Sequence, residues 1–507
     1  MLAPIGAGAY APGTSDDYVA AFESRYLDPV PPGASGFQFD DSDRWSTTAT
    51  DGGGLSQGDA TTLTWSLPPD GTLTDDGTAS NLIAFFDGLY GAGAGGSDYT
   101  QRPWFPIFED SFARWSALSG ITYVYEPNDD GASMSSSRPG IVGTRGDTRI
   151  FGKNIDGASG GTLAYNYFPN YGDMVLDTSE SSWFGSASNA SRNARNVIIH
   201  ELGHGLGFEH VLPLDGTKLL EPQATNSFDG PQFDDILAVH RGYGDVHEKA
   251  GGNDIAANAT PLAAGTIAAG TTVTIGADGV DASVAPTDID FVSIDDNSDT
   301  DFYSFTVATS KSIAATLTPI GPTYDQGQQC GDGSTSGNCL PPPDPTSFNA
   351  SAQSDLTLRL IDTNGVSPLI TANSGGLGQS ETIAETDLPG GVTYYVRNTG
   401  AQNAAQPYQL DLTIGDATGA DTISPSVSQW TPADGSVIVP PSVDIDVQFS
   451  EAVTGVDATD MVLKGTAAAS ATAGNVIHLG GNQYRFPVTG LVDGDLQVTL
   501  APDANDI

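Results

Sequence analysis

The chain has 507 residues with 63 acidic against 18 basic side chains, a formal charge of -45, yet only 16% of its residues are charged. The acidity therefore reflects a shortage of lysine and arginine and not a disordered polyelectrolyte. It argues against nucleic acid and anionic membrane surfaces as partners, because phosphate contacts need clustered cations, and it fits a secreted protein in salty or calcium-rich surroundings. The length predicts three or four domains. No run is long and apolar enough to span a bilayer, and residues 1–60 contain no charged-then-apolar secretory signal.

In chain order, residues 1–60 are rich in Gly, Asp, Ser and Pro, show little periodicity, and are expected to be a leader, a propeptide remnant or an extended wrap. Thr61-Thr62-Leu63-Thr64-Trp65-Ser66-Leu67 predicts a strand. Phe105, Phe108, Phe112, Trp115 and Leu118 recur at three- and four-residue intervals, the period of an amphipathic helix. Ala194-Arg195-Asn196-Val197-Ile198-Ile199 predicts a second helix, which runs into His200 and His204. Gly251-Gly252-Asn253-Asp254 reads as a linker. From 253 to 416, short alternating strands divided by Asp/Asn/Gly turns predict a β-sandwich. The insertion at 321–350 carries the two cysteines, Cys330 and Cys339, spaced comfortably for one local disulfide; an oxidising compartment is thus permitted and not shown.

The most specific feature is His200-Glu201-Leu202-Gly203-His204-Gly205-Leu206-Gly207-Phe208-Glu209-His210, which holds three of the six histidines. His200 and His204, four apart on a helix, project from one face and can grip one ion. Gly207 can take the positive φ that ends a helix and swings the chain round, so that His210 arrives as a third ligand. Three protein ligands leave a fourth tetrahedral position for water, the arrangement of a catalytic zinc. Glu201 directly follows the first ligand and is expected to be the general base toward that water. A bare H-E-x-x-H arises by chance, whereas the added glycine and third histidine at fixed offsets do not readily do so.

With these residues the sequence resembles the metzincin metallopeptidases, in their matrixin-like branch, over roughly residues 61 to 247. The resemblance implies an α+β zincin-like catalytic domain with a mixed sheet and an active-site helix. Gly161, Thr162, Leu163, Ala164 and Tyr165 resemble the family's edge strand, along which a substrate peptide lies as an added antiparallel strand. Asp173 and Asp177, with Glu180 and Asp156, resemble its calcium-binding stretch, as hard oxygen ligands suit calcium. Leu220 stands where the family has the methionine of its turn beneath the zinc, a volume-conserving exchange. The family's second, structural zinc is expected to be absent, since its histidine positions match Tyr165 and Val175. No cysteine precedes the catalytic region, so the family's cysteine switch is not present in this chain.

The organisation expected is an N-terminal segment at 1–60, a catalytic domain at 61–250, a β-sandwich at 253–416 whose Asp301-Phe302-Tyr303-Ser304-Phe305 and Gly391-Val392-Thr393-Tyr394-Tyr395-Val396 resemble the bacterial pre-peptidase C-terminal domain, and a second at 422–507 whose Pro432-Ala433-Asp434-Gly435 and Phe449-Ser450-Glu451-Ala452-Val453 resemble an Ig-like repeat. That repeat stops close behind a strand, so the natural protein is expected to continue. The function these resemblances imply is a secreted or cell-surface zinc endopeptidase of bacterial type acting on protein or peptide substrates, with polysaccharide or cell-surface contact through the β domains. Two other readings stay open. In one, the first domain is a degenerate scaffold in a non-catalytic adhesion protein; in the other, the peptidase acts on its own N-terminal segment.

Overall fold

The structure, a computed structural model, describes residues 5–15, 18–19, 44–134, 140–157, 160–328, 346–417, 425–451, 453 and 455–500. Cys330 and Cys339 lie outside the described residues. The first unit is built on a six-stranded sheet in the order Ile5–Tyr10, Thr162–Tyr167, Met174–Asp177, Thr148–Lys153, Thr61–Ser66, Ile121–Tyr125. The last four pair in parallel, whereas Thr162–Tyr167 runs antiparallel to Met174–Asp177. Ile5–Tyr10 is added antiparallel on the outer side of Thr162–Tyr167.

Two long helices carry the period seen in the sequence. Phe105–Leu118 buries Phe105, Phe108, Phe112, Trp115 and Leu118, and Arg192–Gly205 buries Ala194, Val197, Ile198 and Leu202. They pack on each other, fastened where Trp115 Nε1 donates to the Ile199 carbonyl at 3.0 Å. A shorter helix, Phe233–Tyr243, starts with a capping box in which the Gln232 and Asp235 side chains satisfy orphan N–H groups reciprocally.

The chain from Arg44 to the strand Thr61–Ser66 is part of this unit. Trp45 is buried in its core, and its indole N–H donates to the Gly205 carbonyl at 2.7 Å, capping the end of the long helix. The Arg44 guanidinium lies 4.5 Å from the centroid of the Tyr243 ring and donates to the Gly242 carbonyl.

The second unit stacks two five-stranded sheets on each other. Its core includes Ile313, Leu317, Leu358, Leu360, Val396, Tyr408 and Leu410, the inward residues of alternating strands. The third unit surrounds Ile445, Val447, Phe486 and Val488. The segment 251–254, which the sequence marks as a linker, is packed between the first two units. Asn253 is fully buried and its carbonyl accepts from Phe302 N–H at 2.8 Å. The reason is a shared core at the joint, where Leu118, Phe233 and Ile236 of the first unit meet Val284, Phe291 and Ala350. Gly327 and Gln328 also pair as a strand with Leu212 and Val211, just beyond His210.

Candidate active site

The helix ends where the sequence changes from apolar period to glycine. Leu206 caps it, and Gly207 at φ 103° turns the chain in a conformation that L side chains rarely adopt. This turn returns His210 toward the helix. The Nε2 atoms of His204 and His210 lie 3.0 and 3.3 Å from Nε2 of His200. A tetrahedral ion with Zn–N bonds of about 2.0–2.1 Å needs nitrogens about 3.3 Å apart, so the donor set fits zinc. The orientation is held from behind: Nδ1–H of His200 donates to the Leu219 carbonyl and Nδ1–H of His204 to the Phe208 carbonyl, both at 2.6 Å. Such bonds leave Nε2 with its lone pair facing the site. Burial, followed by the charge of His210, pushes His200 down to about 3; burial and the charges of the other two hold His204 well below the usual imidazole range. Neutral imidazole is the ligating form.

Glu201 is fully buried next to this triad, and one of its oxygens accepts the Ala9 N–H at 2.8 Å. Beneath the helix, Leu220 is fully buried in the core. The Leu219 and Leu220 N–H groups donate to the Asp235 carboxylate at 3.1 and 3.3 Å. Asp235 thus fixes the turn whose carbonyl orients His200. Asn196, one turn before the motif, accepts from Gly230 N–H and donates to the carbonyls of Thr225 and Phe228, tying the following loop to the helix.

Thr162, Leu163, Ala164 and Tyr165 lie on the strand Thr162–Tyr167, with Gly161 just before it. Every position of the strand is buried because Ile5–Tyr10 covers its outer edge. Tyr165 and Val175 join an apolar cluster with Phe151 and Tyr167, and the Tyr165 hydroxyl donates to Asp75 at 2.9 Å.

Asp156, Asp177 and Glu180 come near enough for their charges to act on one another. Burial, with the charge of Asp156 contributing, raises both Asp177 and Glu180 above the usual carboxylate range. One Asp177 oxygen is buried with no hydrogen-bond partner, as a cation ligand would be. Asp156 instead accepts from Thr162 N–H, and Glu180 from Gly160 N–H. Asp173 is engaged by Arg149 N–H at 3.0 Å.

Among the described residues, only two groups place three ligand atoms within 4.8 Å of one another: the histidine triad, and Glu248, Asp299 and Asp301. The second group was not singled out from sequence, although four aspartates fall between Asp295 and Asp301. One oxygen on each of its members, and Oδ1 of the neighbouring Asn253, is buried without a partner. Burial, then the charge of Asp299, pushes Glu248 up to about 10, and burial pushes Asp299 up to about 7. Unpartnered carboxylate oxygens suit a hard divalent cation.

A mixed sheet with one antiparallel strand, and a helix ending in a turn that closes a histidine triad beside a glutamate, resemble a metallopeptidase domain. Residues 97–244 match the family described as Matrixin. Matrix metalloproteinase-16 of Homo sapiens is 35% identical over 110 residues, 19% of this chain and 18% of that protein. Matrix metalloproteinase-15 of Homo sapiens is 31% identical over 125 residues, 22% of this chain and 18% of that protein. The chain thus spans less than a fifth of the length of these curated relatives. The structure of the pre-peptidase C-terminal domain of a collagenase from Bacillus anthracis aligns with 31% of this chain and 95% of its own length, at 14% identity and a TM-score of 0.16.

Proposed function

We propose that the chain is a secreted zinc-dependent endopeptidase of the matrixin-like type. The observation that carries the reading is the triad of ring nitrogens 3.0 and 3.3 Å apart with the buried Glu201 beside it. A zinc ion held by His200, His204 and His210 supplies Lewis acidity toward the scissile carbonyl and lowers the pKa of water. Glu201 takes the proton of the attacking water and delivers it to the leaving nitrogen. Gly161 to Tyr165 pair with the substrate backbone as an added strand, aligning the scissile bond with Glu201. The loop fastened by Asn196 bounds the pocket for the residue after that bond. Calcium is the proposed second cofactor, and the orphaned oxygens favour Glu248, Asp299 and Asp301 over Asp156, Asp173, Asp177 and Glu180 as its ligands.

The test is zinc content and casein or gelatin hydrolysis of the full chain and of Glu201→Gln. The expected result is equal zinc in both, with the rate of the variant lower by about 100-fold or more. Bound zinc with hydrolysis unchanged in the variant, or with none in either, rejects the peptidase reading.

A further inference from the structure

We propose that the segment Ile5–Ala11 is a built-in peptide ligand of the cleft, and that the site is set to hydrolyse the Gly8–Ala9 bond of its own chain. The inference rests on the peptidase reading above and adds to it a substrate and a subsite chemistry.

The segment is gripped from both sides. Along one side it runs antiparallel to the edge strand, with Gly8 opposite Tyr165, Ala9 opposite Ala164 and Tyr10 opposite Thr162. Along the other, Tyr10 N–H donates to the Pro222 carbonyl and the Tyr10 carbonyl accepts from Ala224 N–H, both at 2.9 Å. Ala11 N–H then donates to the Gly161 carbonyl at 2.8 Å. Main-chain bonds on both edges are how an extended peptide is held by strand addition. Between these grips, the Ala9 N–H points at a Glu201 oxygen 2.8 Å away. A leaving nitrogen must lie within hydrogen-bond reach of the group that protonates it, and the chain bond made by that nitrogen is Gly8–Ala9. Its hydrolysis consumes one water: the hydroxyl joins the Gly8 carbonyl carbon, the C–N bond breaks, and the proton passes through Glu201 to nitrogen. The products are a Gly8 carboxyl group and an Ala9 amine.

The side chains suit the place. A Cβ on Gly8 would lie 2.6 Å from the Ala164 carbonyl oxygen, so only glycine comes this close to the edge strand. Tyr10 is fully buried, with its ring centroid 6.4 Å from those of Tyr18 and His210. The Tyr18 hydroxyl donates to Asp156 at 2.8 Å, and the Gln223 amide donates to the Thr14 carbonyl at 3.1 Å, fastening the chain beyond the cleft. The cleft thus takes glycine before the bond, a small residue after it and an aromatic one next. Until it is cut, the tethered segment competes with any added peptide at a high effective concentration.

Three measurements on the full chain decide the matter. Hydrogen exchange on Glu201→Gln is expected to show slow amides at Tyr10 and Ala11, made fast by adding Gly8→Val; fast exchange in both overturns the proposal. Intact mass and N-terminal sequencing of the zinc-loaded chain are expected to show a new terminus at Ala9, lost in Glu201→Gln. A synthetic peptide spanning Ala3 to Thr14, added in trans, is expected to be cut about tenfold faster by Gly8→Val than by the uncut parent. If the added peptide is cut while the chain's own N-terminus stays intact or is cut elsewhere, the proposal falls and the peptidase reading stands. If neither Gly8→Val nor the parent cuts the peptide, both fall.

Discussion

At the scale of single residues, two rings of the triad, His200 and His204, are held by a bond from Nδ1 on the side away from the other nitrogens. His210 is the imidazole that the turn at Gly207 returns to the helix. His210→Ala is expected to weaken zinc binding by at least about 100-fold, because even outer partners of metal ligands account for about 10–100-fold; competition with a chromogenic chelator reads this, and unchanged affinity would exclude His210 as a ligand. Leu220 is the residue that the resemblance puts where the family has its methionine. It is fully buried in the core of the first unit. Leu220→Met conserves volume and is expected to change stability by less than about 1.5 kcal/mol and to leave zinc content unchanged, as melting curves and metal analysis would show. The histidine motif and its order along the helix were legible in the sequence because spacing alone fixes which side chains share a face. Asp235 and Asn196 were not, since an aspartate or asparagine gains its role only from the backbone groups that the fold brings to it.

At the scale of elements, the helix Phe105–Leu118 was readable from its apolar period, and the β units from their alternation. The strand Ile5–Tyr10 was not. Ile5-Gly6-Ala7-Gly8-Ala9-Tyr10 has neither alternation nor β-branched enrichment, and it is a strand only because the edge of Thr162–Tyr167 offers it a ladder. The same holds for Arg44 and Trp45, which lie in the segment 1–60 that composition left as a leader, a propeptide remnant or an extended wrap. Trp45→Ala removes a buried ring and the bond that caps the long helix at Gly205. It is expected to cost about 3–5 kcal/mol, measured by denaturant unfolding; a loss under about 1 kcal/mol would show that this segment is dispensable to the first unit.

At the scale of the whole molecule, the joint between the first two units combines a shared apolar core with a set of buried acids. The folded pKa values of Glu248 and Asp299, about 10 and about 7, lie above the ordinary carboxylate range. Groups raised in this way favour the fold below about pH 4, and that contribution is lost as pH rises through the folded values. In a chelator, the melting temperature of the native chain is therefore expected to fall relative to Asp299→Asn as pH rises from about 4 to about 7. Added calcium is expected to restore the native chain and to affect the variant less. A gap between the two that does not change with pH, or calcium without effect on either, would dismiss the cluster as a cation site. By itself the sequence determined the chemistry of the histidine motif, the helical and strand-rich regions and the acid excess, because these depend on residue type and local spacing. Tertiary structure alone decided that the strand Ile5–Tyr10 brings Ala9 against Glu201, that residues 251–254 are packed at a joint, and that Glu248 meets Asp299 and Asp301, because contacts between distant segments follow from how whole surfaces pack and not from any local period.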